Sequence, residues 1–257
     1  MNILAEIVEK LKPRLENRKH ALPMEALAEQ AAQAPSRPKF TEAFRGDGLH
    51  VIAELKKASP SKGLIRNNFD VQSLAVELAE NGAAALSVLT EPNYFLGSEE
   101  NLPMASQAVS IPLLRKDFIF DEYQILEAKA LGASCVLLIT AMLPSDRFLQ
   151  LLEYAHFQGL DVLGEAHSEK ELKTAVKADL VGVNARDLRT FGTSLERSAE
   201  LIRTIPKNRV AIAESAVRSR ADMDMMTAAG AKGFLIGETL MRAEHPGLKL
   251  KELLQCC

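Results

Sequence analysis

Short apolar runs alternate along the chain with longer segments in which apolar residues recur every three or four positions. Short β-branched or Leu-rich runs between turn residues are typical of strands, and the longer spacing is typical of amphipathic helices. The pattern predicts eight strands, at His50–Lys56, Ala84–Leu89, Pro112–Lys116, Ser134–Thr140, Asp161–Glu165, Leu180–Asn184, Arg209–Glu214 and Gly233–Ile236. A helix is predicted after each strand, near Val71–Glu80, Glu99–Val109, Glu122–Leu131, Ser145–Phe157, Glu169–Val176, Leu195–Thr204, Arg220–Ala229 and His245–Leu254.

Residues suited to helix ends stand at many of these boundaries. Side chains that can accept a hydrogen bond from a first helical turn are predicted to cap five helices, at Asp70, Asp121, Ser145, Ser168 and Ser219. Glycines suited to the left-handed residue after a helix follow three of them, at Gly132, Gly159 and Gly230.

The order and spacing of these elements predict an α/β fold with a single (β/α)8 barrel. The strands lack polar alternation, as expected for parallel strands buried on both faces. Residues 50–257 give 26 residues per strand–helix unit, close to the period of this barrel. A doubly wound open sheet is the alternative, but the first strand is not followed by the glycine-rich fingerprint of a dinucleotide site.

Residues 1–49 are predicted to form a helical extension that packs on the barrel, which we call the N-terminal arm. Apolar residues from Ile3 to Leu15 recur at helical spacing, and Pro23 precedes a second helical stretch, Met24–Ala34. The arm is too short to be a domain. Its apolar face either pads one end of the barrel or forms a lid over the active face.

Composition and charge exclude several classes of protein. The chain is 47% hydrophobic and 25% charged, as in ordinary globular proteins, and its longest apolar run is much shorter than a membrane span. Its net charge of −3 and the absence of a basic cluster argue against a nucleic-acid partner. Its three cysteines give neither a disulfide framework nor a zinc pattern. We expect a cytoplasmic protein with no membrane partner.

Charged and amide residues lie at the predicted carboxyl ends of five strands, where barrels of this kind carry their chemistry. They are Glu54 and Lys56, Arg115 to Asp117, Glu165, Asn184 and Arg186, and Glu214 with Ser215. Any one of them can be explained as a solvated turn residue or half of a structural ion pair. Several ions of both signs in one place are costly unless they pair, so the group as a whole indicates a site for an anionic substrate and proton transfer.

The loops after the last two strands are the expected place for a phosphate group. In such barrels these loops and the start of a short extra helix present free N–H groups to the ligand. Here they carry Ser215, Ala216, Gly237 and Glu238, and Gly237 allows a close approach of the backbone.

Five stretches in this order resemble the indole-3-glycerol phosphate synthase family. They are IAELKKASPSKG at 52–63, LSVLTE at 86–91, LRKDFI at 114–119, GVNARDL at 182–188 and FLIGE at 234–238. The resemblance covers essentially the whole chain, including the helical extension. It implies conversion of 1-(2-carboxyphenylamino)-1-deoxyribulose 5-phosphate to indole-3-glycerol phosphate in tryptophan biosynthesis, with loss of carbon dioxide and water and without a metal or organic cofactor.

The resemblance also implies roles for individual residues. Lys116 is the general acid that protonates the ribulosyl carbonyl, and Lys56 holds the substrate carboxylate and protonates the departing hydroxyl. Glu165 either stabilises the cationic intermediate or removes a proton. Glu54 acts as a base in the dehydration or pairs with Lys56, and the sequence leaves these roles open.

The remaining site residues follow from the same resemblance. Asn184 and Arg186 position the substrate and its neighbouring carboxylates, and Glu214 contacts a substrate hydroxyl or supports the other carboxylates. The phosphate cradle is expected at Ser59, Ser215, Ala216, Gly237 and Glu238. The apolar wall around the benzoate ring is expected at Phe118, Leu137 and Leu188, for each of which plain core packing is an equal alternative.

Two positions depart from the usual family pattern. Ala185 stands where Asn is common, and Ala216 stands where Gly is common. Ala185 is expected to point away from Asn184 and to matter little. If position 216 has a positive φ, Ala costs about 1 kcal/mol there and alters the phosphate loop.

Two other functions fit parts of the pattern. A phosphoribosyl isomerase on the same barrel would share the phosphate site, but it has no need for both Lys56 and Lys116. A non-catalytic phosphate-binding protein is disfavoured because every expected catalytic residue is present. We expect a phosphorylated small molecule as partner and a monomeric chain, with a weak homodimer as the alternative.

Overall fold

Eight parallel strands close into a barrel in the computed structural model, which describes residues 3–186 and 192–255. The barrel strands are β1 His50–Leu55, β2 Ala85–Leu89, β3 Leu113–Lys116, β4 Cys135–Ile139, β5 Asp161–Ala166, β6 Leu180–Asn184, β7 Val210–Glu214 and β8 Gly233–Ile236. Each strand pairs with its neighbours in the chain, and β8 pairs with β1. The barrel prediction is therefore confirmed, and the open sheet is excluded.

The helices surround this barrel. The arm contributes α1 Ile3–Ala21 and α2 Met24–Gln33, and the barrel helices are α3 Val71–Glu80, α4 Asn101–Ala108, α5 Glu122–Ala130, α6 Ser145–Phe157, α7 Glu169–Ala175, α8 Leu195–Arg203, α9 Arg220–Ala229, α10 Glu238–Arg242 and α11 Pro246–Leu254. No helix of the described residues is long and apolar enough to span a membrane.

The predicted caps hold with one exception. Asp70, Asp121, Ser168 and Ser219 each accept a backbone N–H from the first turn of the following helix. The prediction for Ser145 is wrong: Pro144 occupies the cap position of α6, and the Ser145 hydroxyl lies 3.1 Å from that of Thr174. Helix α6 begins at Ser145 itself, so Ser145 is the first helical residue and not the cap.

Alternate residues of the strands build two separate apolar layers. One set, which includes Ile52, Leu114 and Leu163, fills the barrel interior. The residues that alternate with them, such as Val51 and Leu113, pack under the helices. This period of two is what directs Glu54, Lys116, Glu165, Asn184 and Glu214, at the last inward positions, into one end of the barrel, which we call the mouth.

The N-terminal arm runs from the mouth to the opposite end of the barrel. In α1, Ile3, Leu4 and Ile7 line the cavity in the mouth. The helix α2 packs on the flank, with Leu27 and Ala31 buried against α5.

The last part of the arm closes the far end. A short 3-10 helix, Phe40–Phe44, lies there: Thr41 donates to the carboxylate of Asp161 at the start of β5, from its backbone N–H at 2.8 Å and its hydroxyl at 3.0 Å. The ring of Phe44 packs against His50, the first residue of β1. The arm therefore reaches both ends of the barrel, since α1 lines the cavity and the 3-10 helix packs at the other end; a lid role for α1 stays a prediction.

Candidate active site

The strand ends surround a cavity of about 380 Å³ in the mouth. Its walls include most of the residues expected from the sequence: Glu54, Lys56, Ser59, Lys116, Phe118, Glu165, Asn184, Arg186, Glu214, Ser215, Ala216, Gly237 and Glu238. These residues come from six of the eight strands or the loops that follow them, so the closed barrel is what brings them together. The cavity combines ions of both signs with an apolar side.

Lys116 and Glu165 form the centre of the site. The Lys116 ammonium lies 3.4 Å from a carboxylate oxygen of Glu165, which is 1% exposed. Burial lowers the pKa of Lys116, but the surrounding carboxylates, Glu165 first, outweigh it and raise the pKa above its ordinary value. Lys116 is therefore an ammonium ion at neutral pH, which is the form a proton donor needs.

Glu165 and Glu214 are neighbouring buried carboxyls with opposite pKa shifts. Burial raises the pKa of Glu165, but the charges of Lys116 and His167 and a hydrogen bond from Asn184 outweigh it and lower the pKa. Burial and the charge of Glu165 raise the pKa of Glu214 well above its usual range. Like charges this close do not both ionise readily, so Glu165 holds the charge and Glu214 the proton.

Two glycines make room for these carboxyls. A Cβ on Gly182 would overlap the Glu214 carboxyl, and a Cβ on Gly237 would overlap that of Glu54. The space at Gly237 lets the Glu54 carboxylate pair with the Lys56 ammonium, which lies 2.5 Å away. This pair is one of the two roles that the sequence left open for Glu54.

The strand β3 is held rigidly from outside the barrel. Arg115, which precedes Lys116, is fully buried and binds Asp117 at 3.0 Å and Glu127 at 2.7 Å. Arg18 of α1 also pairs with Glu127, at 2.9 Å. Because Arg115 points outward, this network fixes the strand that carries Lys116 without reaching the cavity.

The loop after β7 has a constrained backbone. Ser215 has φ 65° and Ala216 has φ 61°, and both line the cavity. A positive φ at position 216 is the condition under which the sequence predicted a cost for Ala. Ala185 does not line the cavity, and its N–H donates to the backbone of Glu214 at 2.9 Å.

Three arginines stand near this loop, and two of them were missed by the sequence reasoning. Arg186 donates to the Ser61 hydroxyl at 2.9 Å and lies 3.6 Å from Glu238, while Arg242 lies 3.0 Å from the same carboxylate. Arg218 also lines the cavity. The signal for the two missed residues was their position beside the phosphate loops, at two residues after Ala216 and four after Glu238.

The apolar side of the cavity differs in part from the expectation. Phe118 lines it, and its ring centroid lies 6.1 Å from that of Phe95, which the sequence reasoning missed. Leu137 does not line the cavity but lies one layer deeper, 1% exposed among the interior residues, and Ile139 two residues later takes the wall position. Leu188 lies outside the described residues.

His167 is a further neighbour of the site that the sequence reasoning did not single out. Its Nε2 lies 3.5 Å from Glu165 and its Nδ1 lies 3.2 Å from Glu171. The signal was its spacing, since residues two apart at a strand end share a face. Among the described residues, no group of three His, Cys, Asp or Glu side chains is arranged to hold a metal ion.

A family model described as indole-3-glycerol phosphate synthase matches residues 4–253. The chain belongs to the indole-3-glycerol phosphate synthase family. Two proteins of that description are similar to it: one from Koribacter versatilis (strain Ellin345) is 54% identical over 209 residues, 80% of each chain. One from Campylobacter jejuni subsp. doylei is 45% identical over 257 residues, covering 98% of this chain and 100% of the relative. The family predicted from the motifs is confirmed.

More distant solved structures share the fold. A 3-hexulose-6-phosphate synthase superposes with a TM-score of 0.63 at 16% identity, covering 80% of this chain and 98% of that one. A tryptophan synthase α-subunit mutant from Pyrococcus furiosus gives a TM-score of 0.61 at 17% identity, covering 80% of this chain and 97% of that one. At these identities the likeness supports the barrel alone.

Proposed function

We propose that the cavity in the mouth binds 1-(2-carboxyphenylamino)-1-deoxyribulose 5-phosphate and closes its indole ring. The predicted activity, that of a carboxy-lyase forming indole-3-glycerol phosphate in tryptophan biosynthesis, is confirmed by the family match and the two relatives. The assignment of steps to individual residues is the proposal. It rests on one observation above all, the ammonium of Lys116 at 3.4 Å from buried Glu165 in the middle of the cavity.

The substrate's two anionic ends set its orientation. The phosphate lies on the loops after β7 and β8, where Ser215, Ala216, Gly237 and Glu238 present backbone N–H groups and the arginines supply positive charge. Ser59 approaches it from the loop after β1. The benzoate ring packs against the wall formed by Phe118 and Phe95, and its carboxylate pairs with Lys56.

Proton transfer then follows the charges in the cavity. Lys116 gives its proton to the ribulosyl carbonyl oxygen as a carbon of the benzoate ring bonds to the carbonyl carbon. The ring thereby gains a positive charge, which Glu165 stabilises. Loss of carbon dioxide restores the neutral ring. In the dehydration, Lys56 protonates the hydroxyl that leaves as water, and Glu54 or Glu165 removes a proton from the adjacent carbon, so that a double bond forms. Asn184 and Arg186 hold the carboxylates and the sugar in place, and the protonated Glu214 donates to Glu165 or to a substrate hydroxyl.

Replacing the proposed acid tests this assignment. Lys116→Met should lower kcat by a factor of about 10² to 10⁴, the usual contribution of a general acid, while circular dichroism shows a folded chain. Lys232→Met at the other end of the barrel, beside the first residue of β8, is the matched control and should keep wild-type turnover. Near-normal turnover by a folded Lys116→Met variant would remove Lys116 from the mechanism.

We also propose that the chain acts as a monomer in the cytoplasm. The large apolar side chains that are exposed among the described residues lie on several different elements, at Leu64, Leu96, Met104, Leu149, Phe157 and Leu248. Exposed apolar residues spread over separate elements are normal on the surface of a monomer. Sedimentation equilibrium should give the mass of one chain, and a dimer mass at micromolar concentration would contradict this.

A further inference from the structure

His167 stands between two carboxylates just behind the cavity. It follows β5, and its side chain is 14% exposed and does not line the cavity. On one side, the carboxylate of Glu171 in α7 accepts a hydrogen bond from the backbone N–H of His167 at 2.7 Å. The same carboxylate oxygen lies 3.2 Å from Nδ1 of the ring. On the other side, Nε2 faces a carboxylate oxygen of Glu165 at 3.5 Å.

This arrangement favours a doubly protonated ring. A neutral imidazole has one N–H and one lone pair, whereas an ionised carboxylate only accepts. With a carboxylate on each side, a neutral ring would direct a lone pair at one of them. Burial and the charge of Lys116 lower the pKa of His167, but the hydrogen bond to Glu171 and the charges of Glu165 and Glu171 outweigh them and raise it.

We propose that His167 is a positioning residue that keeps Glu165 ionised while Lys116 gives up its proton. The proposal rests on the proposed role of Lys116. Four groups face Glu165: Lys116 from β3, Asn184 from β6, Glu214 from β7 and His167 from its own strand end.

Of these four groups, two carry positive charge, Lys116 and His167. Once Lys116 is neutral, His167 is the cation left beside the Glu165–Glu214 pair. Without it, Glu165 would compete for the proton that belongs on the substrate.

The pH dependence of the reaction tests the proposal. His167→Gln keeps a side chain that can bond to Glu171 but removes the charge, so the pKa of Glu165 rises. The acid limb of the kcat/KM profile should move up by about 1 pH unit, and kcat/KM on that limb should fall about tenfold, with KM nearly unchanged. Glu171→Gln should shift the profile in the same direction, because it withdraws the carboxylate that keeps the ring charged.

A second histidine–carboxylate pair provides the control. His156 lies 2.8 Å from Asp179 near the end of α6 and is 45% exposed, so His156→Gln should leave the profile unchanged. If His167→Gln folds, turns over and shows the wild-type acid limb, the proposal is overturned.

A titration of the wild-type imidazoles by NMR covers the case in which that variant does not fold. The His167 signal, assigned by its perturbation in Glu171→Gln, should titrate above about 6.5, the ordinary histidine value, and a titration at or below that value would overturn the proposal. A wild-type chain without synthase activity would refute the proposed function instead, and the titration would still report on the ring.

Discussion

Glu165 and Glu214 are buried carboxyls with opposite pKa shifts, so their contributions to the free energy of unfolding change with pH in opposite directions. The pKa of Glu214 is raised by burial and by the charge of Glu165, so the folded chain keeps a proton that the unfolded chain loses above about pH 4.5. That contribution to stability is complete below the unfolded pKa and is lost as pH rises through the folded one. Glu165 behaves in the opposite way, because its pKa is lowered.

Glutamine variants of these two carboxyls test the direction of each pH dependence. Glu214→Gln cannot lose a proton, so its melting temperature relative to wild type should rise between pH 5 and pH 8. Glu165→Gln should instead be less stable than wild type at pH 7, since Lys116 and His167 lose their anionic partner. Thermal melts over this range check both signs, and a Glu214→Gln difference that falls with pH would contradict the account.

The second prediction concerns the strained loop at Ala216. Its φ of 61° is a left-handed conformation that costs an Ala side chain more than it costs glycine. Ala216→Gly should therefore raise the free energy of unfolding by about 1 kcal/mol. Ala228→Gly, at an exposed position of α9, is the control and should lower it by roughly 0.5–1 kcal/mol. Equal losses in both variants would show that Ala216 is not strained.

Among the elements, the arm is expected to serve substrate binding at the mouth and stability at the far end. Separate variants can distinguish these two effects. Ile3→Ala removes part of the cavity wall and should raise KM with little change in stability, because Ile3 is only partly buried. Phe44→Ala removes a buried ring from the opposite end and should cost about 3–5 kcal/mol with KM unchanged. Steady-state kinetics and urea unfolding separate the two. A raised KM in Phe44→Ala alone would reverse the assignment.

Most elements could be predicted because their signals are local. Every barrel strand was located within one residue, since apolar runs, turn residues and caps lie in the sequence itself. The 3-10 helix Phe40–Phe44 and the hairpin of Ala58–Ser59 with Gly63–Leu64 were missed. Both are short and are held by contacts with distant parts of the chain, such as Thr41 with Asp161 and Ala58 with Phe95. The division into an arm at 1–49 and a barrel at 50–257 stays a prediction.

The candidate site shows the same limit. Lys116, Glu165 and Glu214 could be placed in the mouth because strand ends and a period of two fix where they point. Leu137 was placed one layer too high because the sequence does not give the depth of the cavity. Arg218, Arg242 and His167 were missed because the sequence does not show which residues beside a strand end or a phosphate loop approach the site.

The molecule as a whole is an enzyme, and we propose that it converts 1-(2-carboxyphenylamino)-1-deoxyribulose 5-phosphate to indole-3-glycerol phosphate in the mouth of the barrel. A net charge of −3 conceals the cluster of cations there that suits a substrate with two anionic groups. A phosphoribosyl isomerase would use the same phosphate loops but would only move hydrogens within its substrate, without forming a carbon–carbon bond or releasing carbon dioxide.

The most direct test is the indole fluorescence that appears when the purified chain is mixed with this substrate, run beside a reaction with phosphoribosylanthranilate. We expect fluorescence to grow with turnover on the first substrate, with one carbon dioxide released per indole formed, and the second substrate to be left unchanged. Isomerisation of phosphoribosylanthranilate with no indole from the first substrate would contradict it.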